Sequence, residues 1–194
     1  MIVPFPLNWI IALIYLIVMM WASFYLIWSF IATFQASWVP YVPSYNEDLK
    51  RMKDLLVLEN WKTMIDLWCW DGKALRFFSI NFGISKWVGI DFNLPAIVYW
   101  KFLNKIMKID NVEIRKWNFL KEDISGYDYI YVYLLSEYLE KIEDFVFDNM
   151  REDTIIISNT FAFKKHTPFL VHKNEKWRDR ILLYKKDSAA RESS

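Results

Sequence analysis

Between Met1 and Asn46 the chain carries no charged side chain, and residues 8 to 34 (NWIIALIYLIVMMWASFYLIWSFIATF) are almost wholly apolar. A run of about 20 apolar residues suffices to cross the hydrocarbon of a bilayer, and a helix buried in a soluble core is rarely so uniform around its circumference. The run is therefore expected to be a single transmembrane helix meeting the bilayer through residues 8 to 34, with residues 1 to 35 forming the anchor. A cleaved signal peptide is the rival reading, but it calls for a basic leading segment and an apolar stretch of only about 7 to 15 residues. No Lys or Arg precedes the run, whereas Lys50, Arg51 and Lys53 follow it. The positive-inside rule then places the remaining chain on the cytoplasmic side. Residues 36 to 46 (ASWVPYVPSYN) read as a semi-rigid, Pro-containing linker, so whatever follows works near the membrane surface.

Beyond the linker, residues 47 to 186 alternate between two periodicities. A helix is expected over about 47 to 59, with Leu49, Met52, Leu55 and Leu56 on one side, then a buried strand at 62 to 67. A helix at about 73 to 82, a strand at 86 to 91, and a helix at 95 to 108 opened by Pro95 come next. Strands at 111 to 116 and 127 to 134, a helix at 136 to 150 and a strand at 154 to 161 continue the alternation. Residues 180 to 186 read as a late edge strand and 187 to 194 as a frayed tail. Such alternation predicts an α/β fold, a mostly parallel sheet covered by helices on both faces.

The charges nearly cancel, 24 Lys+Arg against 23 Asp+Glu, and basic and acidic residues are interleaved. A nucleic-acid partner would select a basic stripe, so none is expected. Cys69, the single cysteine, can form no internal disulfide and lacks the company of a metal site.

Two residue types are out of proportion, with 11 Trp and only 4 Gly. Glycine at an average of about 7% would number roughly 14 here, and Trp and Gly together come to about that figure. Several of the tryptophans sit where a chain must turn tightly, which is glycine's usual place. This predicts that Trp68, Trp70, Trp87 and Trp117 are glycine positions whose codons have been read as Trp, as follows when UGA is translated under the wrong code. The competing reading is a chain truly rich in Trp, and Trp9, Trp21 and Trp28 suit the aromatic belts of a membrane interface.

Asp66-Leu67-Trp68-Cys69-Trp70-Asp71-Gly72 stands at the carboxyl end of the first expected strand and opens the next helix, where α/β sheets bind nucleotides. Asp91 follows Gly72 by 19 residues at the end of the next strand, a spacing that suits hydrogen bonds to ribose hydroxyls. That pattern alone leaves an NAD-dependent dehydrogenase open.

With glycine at 68 and 70, the turn resembles the first motif of the class I S-adenosylmethionine-dependent methyltransferases. Lys116-Trp117-Asn118-Phe119-Leu120 resembles a further element of that superfamily. The resemblance implies a three-layer Rossmann-like sheet behind one transmembrane helix, and S-adenosyl-L-methionine as cofactor. It implies that Asp66, Trp68, Cys69, Trp70, Gly72, Asp91, Phe92, Asn118 and Phe119 lie at the cofactor, with Asn118 on the adenine. Pro40-Tyr41-Val42-Pro43-Ser44, Gly89 to Asn93, Tyr127-Asp128, Phe161 to Phe163 and His166-Thr167-Pro168 resemble the membrane-anchored protein lysine methyltransferases, over about residues 38 to 186. In that group the pre-domain segment covers the cofactor, so Tyr41, Pro43 and Ser44 are candidate site residues. The group commonly has a proline near Phe161 to Phe163, where this chain has Ala162 and Lys164.

The resemblance implies a lysine-bearing membrane protein as partner. Methyl transfer to an amine requires the amine to be aligned and deprotonated, which an apolar aromatic slot favours. Tyr131 and Tyr133 are candidate walls of that slot, Ser136 or Glu137 a polar contact, and His166 a proton acceptor. A lipid or quinone methyltransferase is the alternative, as is a non-catalytic membrane-tethered protein if the indoles at 68 and 70 are genuine. No metal is expected.

Overall fold

Met64, Ile65 and Leu67 are fully buried at the centre of the domain, as a strand flanked by partners on both sides and covered on both faces requires. The computed structural model describes residues 7–35, 44–91, 94–116, 121–173 and 180–186. In chain order these form α1 (Leu7–Gln35), α2 (Asn46–Leu55), β1 (Thr63–Asp66), α3 (Lys73–Asn81), β2 (Lys86–Asp91), α4 (Leu94–Met107) and β3 (Val112–Lys116). A single 3₁₀ turn (Ile124–Gly126), β4 (Tyr129–Val132), α5 (Ser136–Asn149), β5 (Ile155–Asn159), β6 (Leu170–Lys173) and β7 (Arg180–Tyr184) complete the chain.

The seven strands form one sheet in the order β3-β2-β1-β4-β5-β7-β6. The first five strands run parallel, and β7 pairs antiparallel with both β5 and β6. One apolar layer joins α2, α3 and α4 to the sheet through Leu49, Met52, Leu75, Phe78, Ile97 and Trp100. The other joins α5 through Leu139, Ile142, Val146 and Phe147. Each fully buried Leu or Ile of this kind contributes about 1.5–3 kcal/mol.

Two expectations are corrected. The 180–186 segment is not an edge, since β7 is inserted between β5 and β6. The true edge, β6, gives no buried-strand signal because Leu170, Val171 and Lys173 are exposed and it is only four residues long. The first helix of the domain also ends early: Leu56 turns to extended backbone (φ −96°, ψ 130°), so α2 stops at Leu55 instead of about 59.

Within α1, Trp9–Ile31 is long and apolar enough to cross a membrane, with mean hydropathy 2.4 and none of it buried against the domain. Its 23 residues rise about 34 Å, against a hydrocarbon core of about 30 Å. Length and composition carry that statement, and a signal sequence passes the same test.

Candidate cofactor site

The site forms where β1 and β2 end side by side, with Asp66 in register with Gly89 and, across β4, with Tyr131. From Leu67 the chain turns sharply into α3. Leu67 N–H donates to the Tyr131 carbonyl (3.3 Å), Cys69 N–H to the Ile90 carbonyl (3.0 Å), and Gly72 N–H to the Cys69 carbonyl (2.5 Å). The Asp66 carboxylate accepts from Trp68 N–H (3.0 Å) and that of Asp71 from Lys73 N–H (3.1 Å). Both acids thus fasten the turn from within.

This turn demands unusual backbone. Gly72 has φ +55°, and Trp70 has φ +39°, in the left-handed region that disfavours any side chain with a Cβ. Position 70 thus adopts a conformation that favours glycine while carrying an indole. The packing around the turn is equally tight. A Cβ on Gly89 would lie 2.5 Å from Leu75 Cδ1 and 2.7 Å from Cys69 Sγ, so β2 has no room for a side chain there. Trp68 packs onto the α5-side core. Trp87 sits differently: it is extended and fully buried, stacked on Phe78 with centroids 5.8 Å apart, although its Nε1 finds no hydrogen-bond partner. Trp117 lies outside the described residues.

Three carboxylates gather here. Asp66 and Asp91 are buried, and burial, aided by the charges of Asp91 and Asp71, pushes the Asp66 carboxyl up to about 8. Burial and the same acids push the Cys69 thiol well above its usual range, so it is a packing group rather than a nucleophile. Ser44, from the linker, reaches the site: its carbonyl accepts from Lys73 Nζ at 2.6 Å. Tyr41, Pro43, Phe92, Asn118 and Phe119 lie outside the described residues.

Tyr131 is fully buried, edge-on to Phe78 and accepting from Asn159 Nδ2 at 3.4 Å, so it belongs to the core rather than to a slot wall. Tyr133, two residues on and partly exposed, stacks against Phe161 (6.3 Å, 26°). Ser136 is exposed at the start of α5. His166 lies flat on Phe147, and its Nδ1 is 2.9 Å from Glu143 Oε1. With that nitrogen protonated toward the carboxylate, Nε2 is the free acceptor. Glu143, fully buried, also accepts from the backbone N–H groups of Lys164, Lys165 and His166 (3.1, 2.7 and 3.0 Å). It is the organising residue missed from sequence. The available signal was its place among Leu139, Ile142 and Val146, a carboxylate on the inward stripe of α5.

The strand order, the antiparallel β7 between β5 and β6, and the acid-fastened turn after β1 define the class I S-adenosylmethionine-dependent methyltransferase fold. An RNA methyltransferase from Salinibacter ruber, solved with S-adenosyl-L-homocysteine, superposes with TM-score 0.71 at 22% identity, over 78% of this chain and 98% of that one. A mutant of MtNAS solved with S-adenosylmethionine superposes with TM-score 0.60 at 14% identity, over 72% and 60%. In sequence, the chain is 27% identical over 140 residues to a protein-lysine N-methyltransferase of Saccharolobus islandicus (strain REY15A), covering 71% of this chain and 86% of that protein. No protein-family model matches. Fold and sequence kinship together support a class I methyltransferase using S-adenosylmethionine. The residues present fit that cofactor in charge, because Asp66, Asp71 and Asp91 gather at the turn and a ligand bearing a sulfonium and an ammonium favours their ionised forms, and in the left-handed backbone of the turn. What the turn's backbone disfavours is the side chain at Trp70.

Proposed function

We propose that this protein is a membrane-anchored protein-lysine N-methyltransferase, held by α1 with its catalytic domain on the cytoplasmic side. The observation that carries the lysine reading is the relationship to the archaeal lysine methyltransferase across 86% of that protein's length. The charge-free run followed by Lys50, Arg51 and Lys53 supports the anchor and its orientation.

S-adenosylmethionine supplies an electrophilic methyl group on a sulfonium. Asp66, the turn Trp68-Cys69-Trp70 and Gly72 hold its amino-acid portion. Asp91 and Phe92 hold the ribose, Asn118 and Phe119 the adenine, and Tyr41, Pro43 and Ser44 cover it. On the acceptor side, Tyr133 against Phe161 forms an aromatic wall that excludes water from a lysine and lowers its pKa. Ser136 offers a polar contact at the rim. His166 Nε2, its ring oriented by Glu143, takes the proton the amine releases.

The test is transfer of labelled methyl from S-adenosylmethionine to membrane fractions by the full-length protein, with the Asp91→Asn variant as control. Label recovered as methyl-lysine in protein is the expected result. Label extracted with lipid or quinone would overturn the lysine reading while leaving the methyltransferase intact.

A further inference from the structure

Helix α4 turns a coherent apolar face away from the domain. Val98, Tyr99, Phe102 and Ile106 are 57–61% exposed and form one stripe at helical spacing. The inward face is made by Ile97, Trp100 and Asn104, all buried. Lys101 and Lys105, at i and i+4, are exposed along one flank between the two faces, and Lys108, also exposed, follows just past the end of the helix. Solvent is a poor match for such a stripe, and contiguous apolar patches of this kind mark contact sites.

Helix α1 lies along the same face. Trp21, Phe24, Tyr25 and Trp28 together with Val98, Tyr99 and Phe102 line an open groove of about 800 Å³. We propose that α4 is a second, monotopic membrane contact, its apolar stripe seated at the headgroup–acyl boundary and its lysines on anionic lipid phosphates; this rests on the reading of α1 as a membrane anchor. Depth supports a lipid occupant. At 1.5 Å per residue, Trp28 and Trp21 lie about 5 and 15 Å below Ile31, the end of the apolar stretch. An interfacial helix buries its apolar face about 5–10 Å deep, which overlaps the upper part of the zone over which α4 meets α1. Charge agrees, since the lysine flank lies beside the stripe, where headgroups meet an embedded helix. The consequence is orientation: two contacts fix the height and tilt of the domain above the bilayer.

The test uses the full chain in vesicles of phosphatidylcholine and phosphatidylglycerol, with a polarity-sensitive fluorophore on single introduced cysteines, native Cys69 being buried. Phe102→Cys reports α4, Ala12→Cys the span, and Asp148→Cys the exposed surface of α5 in the opposite layer. The proposal expects the probe at 102 to be quenched by shallow spin-labelled lipid several-fold more than at 148, less so with neutral lipid alone, and the probe at 12, near the far end of the span, by labelled lipid of the opposite leaflet. Water-like emission at 102 with quenching at 12 would overturn the second contact and leave the anchor standing. A probe at 102 that is shielded yet unquenched by lipid would also overturn it, pointing to a protein such as a substrate helix or a second copy. Absence of quenching at 12 would overturn the anchor itself, and the lipid contact with it.

Discussion

Trp70→Gly is the most informative single change, because at that residue the left-handed backbone and the proposed cofactor space make the same demand, for no side chain. A side chain at φ +39° is strained by about 1–2 kcal/mol relative to a right-handed conformation, strain that glycine does not carry. Glycine's greater unfolded-state freedom offsets about 0.5–1 kcal/mol of the relief, and loss of a partly buried indole offsets more. Net stability should thus move by no more than about 1 kcal/mol, or roughly 2–4 °C in Tm for a domain of this size. Binding should respond far more. If removing the indole frees about 1.4 kcal/mol or more of interaction with the ligand, affinity rises at least tenfold. Calorimetric titration of S-adenosylmethionine into the full chain in detergent, as written and as Trp70→Gly, Trp70→Ala and Trp68→Gly/Trp70→Gly, measures both effects. Ala removes the bulk but keeps the backbone penalty, so it should improve binding with lower stability than Gly. A folded Trp70→Gly protein that binds no tighter than the parent would refute the claim that position 70 is a glycine site in the cofactor turn.

The other expectations concern three acids. Asp91→Asn should weaken S-adenosylmethionine binding by about tenfold or more if the carboxylate accepts from the ribose, a loss of roughly 1.5–3 kcal/mol for a charged hydrogen bond; unchanged titration would remove Asp91 from the site. Burial raises the Asp66 carboxyl from 3.8 to about 8, so the folded state holds its proton more tightly than the unfolded chain. The stability this confers is complete below about pH 4 and is lost as pH rises through about 8. Asp66→Asn should flatten that slope in denaturant unfolding measured across the range, and cofactor binding to the parent should strengthen toward pH 8 with proton release, visible in buffers of different ionisation enthalpy. Glu143→Ala strands three backbone N–H groups and should destabilise the fold by about 2–4 kcal/mol in denaturant unfolding, whereas Glu143→Gln, which retains an acceptor, should lose less.

Much of the architecture is legible in the sequence, because parallel strands such as β1 and β2 are buried on both faces and write unbroken apolar runs. The turn after β1 is legible for a different reason, since Asp66 and Asp71 bracket the strand end and Gly72 opens the next helix. What stays hidden depends on partners distant in sequence. β6 is an exposed edge whose side chains obey no burial pattern, and nothing local tells that β7 will intervene between it and β5. Glu143 stands on the inward stripe of α5, but nothing local tells that the 164–166 backbone will fold over it and supply its partners. α4 presents apolar residues at almost every position, so its sequence cannot tell the face that meets the sheet from the face that does not. Tyr131 in β4 and Tyr133 just after it share one alternation, and only burial, the Asn159 contact and the Phe161 stacking tell the core residue from the partly exposed one.

β7 follows every other strand in the chain yet lies inside the sheet, with β5 on one side and β6 on the other. During synthesis, therefore, β6 has no neighbour to pair with until the final strand emerges, and the flank of β5 stays unprotected for the same interval. With α1 in the bilayer as proposed, this unfinished sheet waits while tethered at the membrane, where neighbouring nascent copies are concentrated in two dimensions. Unpaired strand edges are what such copies would share by mispairing. The brevity of β6 and the Lys164, Lys165 and Lys173 charges around it limit that hazard by making the exposed edge a poor template.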